Sequence, residues 1–450
     1  MIAKKKELNQ TSLFFNLEDT LNRNHPLFLL ANKINWNVFE ESFKHLYCEN
    51  HGRMAKPIRL MVGLLILKHV RNISDESVVE QWSENIYYQY FCGETSFVSH
   101  APCEASELVH FRHRIGEKGI ELILKESIRV NGKDAEDTNV NIDTTVQEKN
   151  ITFPTDAKLH KKIIKRCQKI SKEENLPVRQ SYRRTLKQLA RDQRFRNHPK
   201  NKKKAQKADK KLKTIAGRLV RELERNLAPN SKHQTELELF KKILMQEKNS
   251  KDKIYSIHEP EVCCISKGKE HKKYEFGNKA SFVTTDTGVI VGALSFRNEY
   301  DGHTLEKVLE QVKNLIGRTP AKAKVDRGYR GKKQIGETEI LIPSPPKKDL
   351  TYYQRKKISQ AHQKRASIEP IIGHLKTDHR LNRNFYKHVL GDSINIMLAA
   401  AAFNFKRIMN KWKNYFLPFF YNHFLPIFKI YFLSIPIFFV QKHQKTFFKG

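Results

Sequence analysis

The 450-residue sequence predicts a mixed α/β core, preceded by an N-terminal helical domain and interrupted by a basic helical insertion. Strand patterns begin only at Thr138 and resume after residue 254, while the first 135 residues read as helical throughout. Between the two strand-bearing stretches, residues 157–250 carry 29 Lys and Arg against 9 Asp and Glu, a net charge of +20. Strands, a helix, a strand ending in Asp and a later helix carrying Glu form a mixed-sheet pattern. The domains expected are therefore 1–135, 136–412 with its insertion, and an apolar tail at 413–450. A chain of this length readily buries a proper core.

Lys and Arg number 83 against 48 acidic residues, a formal charge of +35. Such an excess says nothing of the fold but predicts attraction to polyanions, with nucleic acid ahead of an anionic membrane surface. The six cysteines form no CxxC pair, and the adjacent Cys263 and Cys264 are poor zinc-site spacing. They read as reduced, packing thiols of a cytosolic protein. The N-terminal MIAKKKELNQ is charged with no apolar run behind it, so no secretory signal is expected.

In the N-terminal domain, KPIRLMVGLLILKHV (56–70) is apolar enough for a buried helix. After a break at Arg71-Asn72-Ile73, Ser74 or Ser77 can cap a second helix, and Ser77 and Glu80 have capping-box spacing. The pair is readable as a DNA-binding helix-turn-helix or as two packed scaffold helices. FRHRIGEKGIELILKESI (111–128) continues the helical pattern. TNVNIDTTVQEKNITFP (138–154) alternates and is rich in Val, Ile and Thr, giving one or two strands. Asp143 lies inside that pattern, where strands disfavour Asp, so it is either a strand-end hydrogen-bond acceptor or a functional carboxylate.

The insertion suits long helices with weak apolar stripes. It reads as too basic for an independent core but suited to docking on DNA, with steep salt dependence. Beyond it, two runs flank Asp286-Thr287-Gly288, a hairpin-turn signal. An amphipathic helix follows, with Leu305, Val308, Leu309, Val312, Leu315 and Ile316 on its apolar face. Asp301 or Thr304 is expected to cap its start and Gly317 its end. AKAKVDRGYRG (321–331) gives a short strand ending at Asp326, EILIPS (339–344) another, and 347–366 is basic and polar. In SIEPIIGHLK (367–376), Pro370 requires the helix to start near Glu369 or to kink there. A last helix is expected from about Asp392 to Trp412.

Asp143 on an early strand, Asp326 at the end of a later one and Glu369 on a following helix are positioned to converge. Three gathered carboxylates repel unless divalent cations hold them, and oxygen-only ligands favour Mg²⁺ or Mn²⁺. Two such ions would activate water or a 3′-hydroxyl for in-line phosphoryl transfer. Arg365 and Lys376 fall four positions before and seven after Glu369, nearly on one helix face. That stripe suits a metal-binding group beside a phosphate backbone, and also an ordinary solvated face.

The segments NIDTTVQEKNITFPTDAKL (141–159), YEFGNKASF (274–282), YDGHTL (300–305), VDRGYRG (325–331) and SIEPIIGHLKTDHRLNRN (367–384) closely resemble bacterial insertion-sequence transposases of the DDE class, in the group-five family. The N-terminal KPIRLMVGLLILKHV and FRHRIG are similar to that family's helical region. The resemblance spans roughly residues 20–412. It implies a ribonuclease-H-like core with Asp143, Asp326 and Glu369 as the catalytic, metal-binding triad. In related transposases a basic residue seven positions after the Glu holds the transposon end, and Lys376 occupies that position here. The Y-x2-R-x3-E-x6-K pattern is met at Arg365, Glu369 and Lys376, but His362 replaces its tyrosine, which puts a tyrosine-dependent end contact in doubt. Arg327, Tyr329, Arg330 and Arg380 complete the expected DNA contacts, the arginines on phosphates and Tyr329 on a phosphate or a base. His374 and His379 are not needed as bases.

The activity implied is hydrolytic nicking at terminal inverted repeats, then attack of the freed 3′-hydroxyls on double-stranded target DNA. Synapsis of two ends implies a homodimer or larger assembly, working in the cytoplasm on the nucleoid. A non-catalytic end-binding repressor and a stand-alone nuclease are the competing readings. The tail, rich in Phe, Tyr, Leu and Ile, has membrane-span length, but Pro418, Pro426 and Pro436 cut it, favouring packing or oligomerisation over membrane contact.

Overall fold

The computed structural model describes residues 16–423 apart from 49–51, 53, 178, 248, 267–271, 298, 330, 332 and 343–350, and it omits the side chains of 357–358, 361–362 and 414–423. Its described residues form two compact units, one from those up to Phe111, Arg129–Asn131 and those from Ala402 onward, the other from Arg112–Ile128 and Gly132–Ala401.

The first unit is helical: α1 (Leu17–Thr20), α2 (Pro26–Lys33), α3 (Trp36–Lys44), α4 (Ile58–Arg71), α5 (Asp75–Glu84), α6 (Ile86–Phe91) and the start of α7 (Ala105–Asn131). The expected apolar helix is α4, buried along almost its whole length. It ends because Asn72 adopts the left-handed conformation, at φ 59°. Ser74, of the two serines expected, caps α5 by accepting from the Ser77 amide. Arg59 of α4 lies over the Trp36 ring at 4.8 Å and donates to the carbonyls of Tyr90 and Phe91. The helix-turn-helix reading fares poorly, since α5 buries Val78, Val79 and Trp82 and exposes Glu76, Glu80 and Glu84. A stripe of glutamates repels phosphates, so α5 is not built as a recognition helix.

In the second unit, β1 (Asn139–Lys149) is one continuous strand. The insertion follows as α8 (Asp156–Glu173), α9 (Arg183–Asp192), α10 (Pro199–Asn226) and α11 (Gln234–Met245). Contrary to the sequence expectation, it has its own core. Ile163, Cys167 and Ile170 of α8 pack with Leu212, Leu219 and Leu223 of α10 and Phe240 of α11. The apolar positions recur at helical spacing while the lysines point outward, so net charge does not prevent burial.

Strands then resume as β2 (Cys263–Ile265), β3 (Glu275–Thr285) and β4 (Ile290–Phe296), followed by α12 (Asp301–Ile316), β5 (Lys322–Lys324), β6 (Gln334–Ile335) and β7 (Thr338–Leu341). Helices α13 (Tyr352–Ala366) and α14 (Ile368–Asp378), strand β8 (Arg383–Asn384) and α15 (His388–His423) complete the order. The sheet runs β2-β3-β1-β5-β7-β6, with β4 also paired to β3 and β8 to β1. Strand β3 pairs antiparallel with both β1 and β4, while β5 pairs parallel with β1 and β7 parallel with β5. The hairpin at Asp286–Gly288 and the Gly317 stop of α12 are as expected. The start of α12 is not, because Tyr300 holds the cap position and Asp301 lies one residue inside, ion-paired to Lys279 at 2.9 Å.

The basic, polar stretch before Ser367, for which no element was expected, holds helix α13, opened by a capping box between Thr351 and Gln354. α15 runs past Trp412 to His423, and Ala399–Ala402 are fully packed. No helix among the described residues is long and apolar enough to cross a membrane. Tail residues beyond 423, and the expectations placed on them, lie outside the described residues.

Gly277 is where β3 pairs with β1 and β2 at once. A Cβ there would lie 1.9 Å from the Gln147 carbonyl oxygen, a backbone atom that cannot rotate away. Gly277→Ala is therefore expected to cost about 3 kcal/mol in urea unfolding. Gly373→Ala on α14, where a Cβ meets nothing within 4 Å, is expected to be neutral or stabilising by up to about 1 kcal/mol.

Candidate active site

Parallel pairing aligns Asn139, Val140 and Asn141 of β1 with Lys322, Ala323 and Lys324 of β5. Continuing that register beyond the ladder brings Asp143 beside Asp326. Each carboxylate is oriented locally. Asp143 Oδ1 accepts from the Thr144 amide at 2.7 Å, and Asp326 Oδ1 accepts from the Gly328 amide at 2.8 Å. Gly328 is required by space, since a Cβ there would lie 2.9 Å from Asp326 Oδ1.

Glu369 is the second residue of α14, whose buried face is Ile368, Ile371 and Leu375. Pro370 explains why α13 and α14 are separate. Its ring excludes a hydrogen bond to the Ala366 carbonyl, and α13 ends there. Arg365, in the last turn of α13, reaches all three carboxylates. Its guanidinium lies 3.3 Å from Asp143 Oδ2, 4.0 Å from Asp326 Oδ2 and 3.2 Å from Glu369 Oε1. The three acids named from sequence thus converge on one cation, with Glu369 the most exposed of them.

The donor set is oxygen only, which suits a hard divalent cation such as Mg²⁺ or Mn²⁺. The buried Arg365 Nε has no hydrogen-bond partner, so this guanidinium is held by charge more than by a full set of hydrogen bonds. A neighbouring acid that the sequence showed only as a turn residue is Asp286. Lys324 chelates it at 2.7 and 2.8 Å and Asn141 donates to it at 3.0 Å. Its charge is thereby answered within the fold. The i, i+2 spacing of Asn141 and Asp143 on β1, matched by Lys324 at the end of β5 and Asp326 just beyond it, is the sequence signal for this layout.

The other expected residues are placed unevenly. Lys376 lies half-buried on α14, and Arg327 is exposed beside Asp326. Arg380, at φ 65°, lies over the exposed Phe385 ring at 5.7 Å. Tyr329 is only 1% exposed, an interior position from which it cannot stack on a base. Burial pushes its phenol well above the usual range, and its backbone amide donates to the Asp326 carbonyl at 3.3 Å. His379 is buried, and His374 pairs with Asp378 at 2.8 Å. Arg330 and the His362 side chain lie outside the described residues.

A second group, Glu259, Glu261 and His388, brings ligand-type atoms within 4.8 Å of one another. Lys149 lies 3.4 Å from Glu259 and Arg297 4.0 Å from Glu261, so cations of the chain already balance it.

Residues 15–114 match the family described as Transposase domain (DUF772), and residues 246–405 match the family described as Transposase DDE domain. A protein of Rhizobium meliloti described as uncharacterized protein ORF8 in the nfe locus is 41% identical over 179 residues, 39% of this chain and 86% of that protein. No solved structure matches the chain.

Arg365→Ala removes the charge the three acids share. Allowing for partial exposure, it is expected to cost about 1–2 kcal/mol in urea unfolding. In an Asp143→Asn background the same change should cost less, because one of the facing charges is gone. An equal loss in both backgrounds would show that charge pairing is not the cause.

Proposed function

Because the chain belongs to the DDE transposases of insertion-sequence type, a family of metal-dependent enzymes that cut and join DNA, we propose that it nicks its element's terminal inverted repeats and joins the 3′-hydroxyl ends to target DNA. Asp143, Asp326 and Glu369 are the proposed catalytic and metal-binding triad. The observation that carries this reading is their convergence, from β1, from the turn after β5 and from α14, on the guanidinium of Arg365. The order β4-β3-β1-β5-β7, antiparallel on one side of β1 and parallel on the other, supports a ribonuclease-H-like core. The quoted motifs support membership of the group-five family.

Mg²⁺ or Mn²⁺, in a proposed pair held by these carboxylates, supplies polarisation of the scissile phosphate and of the attacking oxygen. The Thr144 and Gly328 amides fix which carboxylate oxygens face the centre. Arg365 offsets the repulsion among the acids. Arg327, Lys376 and Arg380 provide positive charge for the DNA backbone around them, a sequence-independent attraction that weakens with salt. Residues 1–135 are proposed as a DNA-binding or assembly domain and 136–412 as the catalytic domain with its insertion, followed by the apolar, aromatic-rich sequence 413–450. The assembly is at least a homodimer, because two ends must be held together, and it works on the nucleoid in the cytoplasm.

Labelled duplex carrying the element's ends, incubated with Mg²⁺ or Mn²⁺, tests this. Wild type should nick at the 3′ ends and join them to a second duplex. Asp326→Asn and Glu369→Gln should abolish both steps while retaining DNA binding. Equal activity in all three would sink the triad, and end binding without cleavage by any of them would favour an inactive, repressor-like relative. Gly328→Ala, which displaces Asp326 without removing it, should lower the cleavage rate by at least about tenfold with little change in the unfolding midpoint.

A further inference from the structure

A cleft of about 900 Å³ opens where the insertion faces the β2–β3 end of the sheet. One wall is aromatic. Phe153 and Tyr274 are 61% and 44% exposed, and the Phe153 and Tyr255 rings lie 5.4 and 5.3 Å from that of Phe276. Phe153 packs T-shaped on Phe276 and the Lys273 ammonium lies 5.8 Å from the Tyr274 ring centre, and both rings still offer surface to the cleft.

The opposite wall is cationic. Lys202, Lys210 and Lys213 of α10 are exposed and make no ion pair among the described residues. The two acids of the cleft are already answered, Asp156 by Lys253 at 3.0 Å and Asp209 by Arg196. The surplus charge is therefore open to an anion. His160 also lines the cleft, 6% exposed, with its Nδ1 buried and without a hydrogen-bond partner. Burial pulls its pKa down, so the ring is neutral near pH 7 and offers one acceptor or donor nitrogen.

Flat apolar faces, unpaired lysines and one buried polar nitrogen match the three parts of a nucleotide. We infer that this cleft binds an unstacked nucleotide of single-stranded DNA, its base against Phe153 and Tyr274 and its phosphates along α10. An intact duplex does not fit that description, because its base faces are covered by stacking. The volume lies in the range of built small-ligand clefts, roughly 300–1,000 Å³. Phe153 is ten residues beyond Asp143 on the same outgoing segment, at most roughly 33 Å away at strand rise. A strand leaving the proposed catalytic centre covers that span in about ten nucleotides at 3.4 Å per step. The cleft is thus placed to hold DNA that has lost its complement near the cut. The choice of DNA as the polymer rests on the proposed function; the geometry of the cleft does not.

The test measures fluorescence anisotropy of the full chain with a labelled ten-nucleotide oligothymidine and with a blunt duplex, at one salt concentration. Phe153→Ala with Tyr274→Ala should weaken single-strand binding about 10- to 100-fold, with duplex binding and duplex-end cleavage unchanged within about twofold. Lys210→Ala with Lys213→Ala should weaken single-strand binding and flatten its salt dependence by about one to two charges. The inference is overturned if the aromatic double variant binds the oligonucleotide like wild type, if it loses duplex and single strand equally, or if thymidine monophosphate competes as well as the oligonucleotide. Single-strand binding that depends on these residues in a chain that cleaves no DNA would support the cleft while removing the transposase reading. The two can therefore fail separately. Phe153 and Tyr274 are exposed, so the substitutions leave the fold intact.

Discussion

Bringing three carboxylates to one point is the constraint that the catalytic unit is built around. Two like charges about 4 Å apart repel by about 4 kcal/mol at the effective dielectric of a protein surface. Asp143, Asp326 and Glu369 come from three separate segments, so nothing covalent keeps them together. The fold answers with the Arg365 guanidinium between them and with backbone amides on two of them. Arg365 is well matched to this, because a planar fork can face several carboxylates at once where an ammonium is a point charge.

That arrangement demands that β1 not slip. A one-residue shift would turn Asp143 to the opposite face of the sheet. The pairing of β1 with β3 on one side and β5 on the other resists such a shift, and a buried polar network pins its end. Lys149 reaches Asp392 at 2.6 Å and Glu259 at 3.4 Å, Arg297 meets Asp392 at 2.5 Å, and Gln147 exchanges hydrogen bonds with Asn278 and Asn395. These groups are costly to bury and costlier to leave unpaired. A slipped register would strand all of them, so the network penalises misregister far more than an apolar contact would. The chemistry proposed near the middle of β1 and the network at its end are parts of one device for fixing a strand.

Much of this was legible in the sequence, and the exceptions have physical reasons. Strand β1, the hairpin and α12 carry apolar patterns that mark the elements; α12 keeps its one-sided face, whereas β1 and β3 are buried on both faces, which alternation did not predict. Helix α13 has no buried side chain among its described residues and so no apolar stripe to find. Only the Thr351 and Gln354 capping box announced it. The insertion core was hidden for the opposite reason, since an apolar stripe was present but the surrounding lysines dominated any average over the segment. Tyr329 was misjudged because a tyrosine between two arginines next to a carboxylate reads as surface, whereas the turn folds its ring inward. The convergence of the three acids was inferable from order and type alone, but the placing of Arg365 among all three was not. That placing depends on where α13 stops, which Pro370 decides.

The insertion also separates two properties that usually compete. Its stability comes from a stripe of Leu, Ile and Phe facing inward, and its charge from lysines on the outer faces of the same helices. Changing an exposed lysine alters the field but leaves the interior packing untouched, so affinity for a polyanion can vary without loss of fold. The sheet has less freedom, because Lys149, Lys279, Lys324 and Arg297 are each committed to an acid of the fold. A chain that must both grip a polyanion and hold three acids in place gains from keeping these tasks on different elements. The excess of Lys and Arg that first marked the sequence is concentrated where it does not disturb the carboxylates.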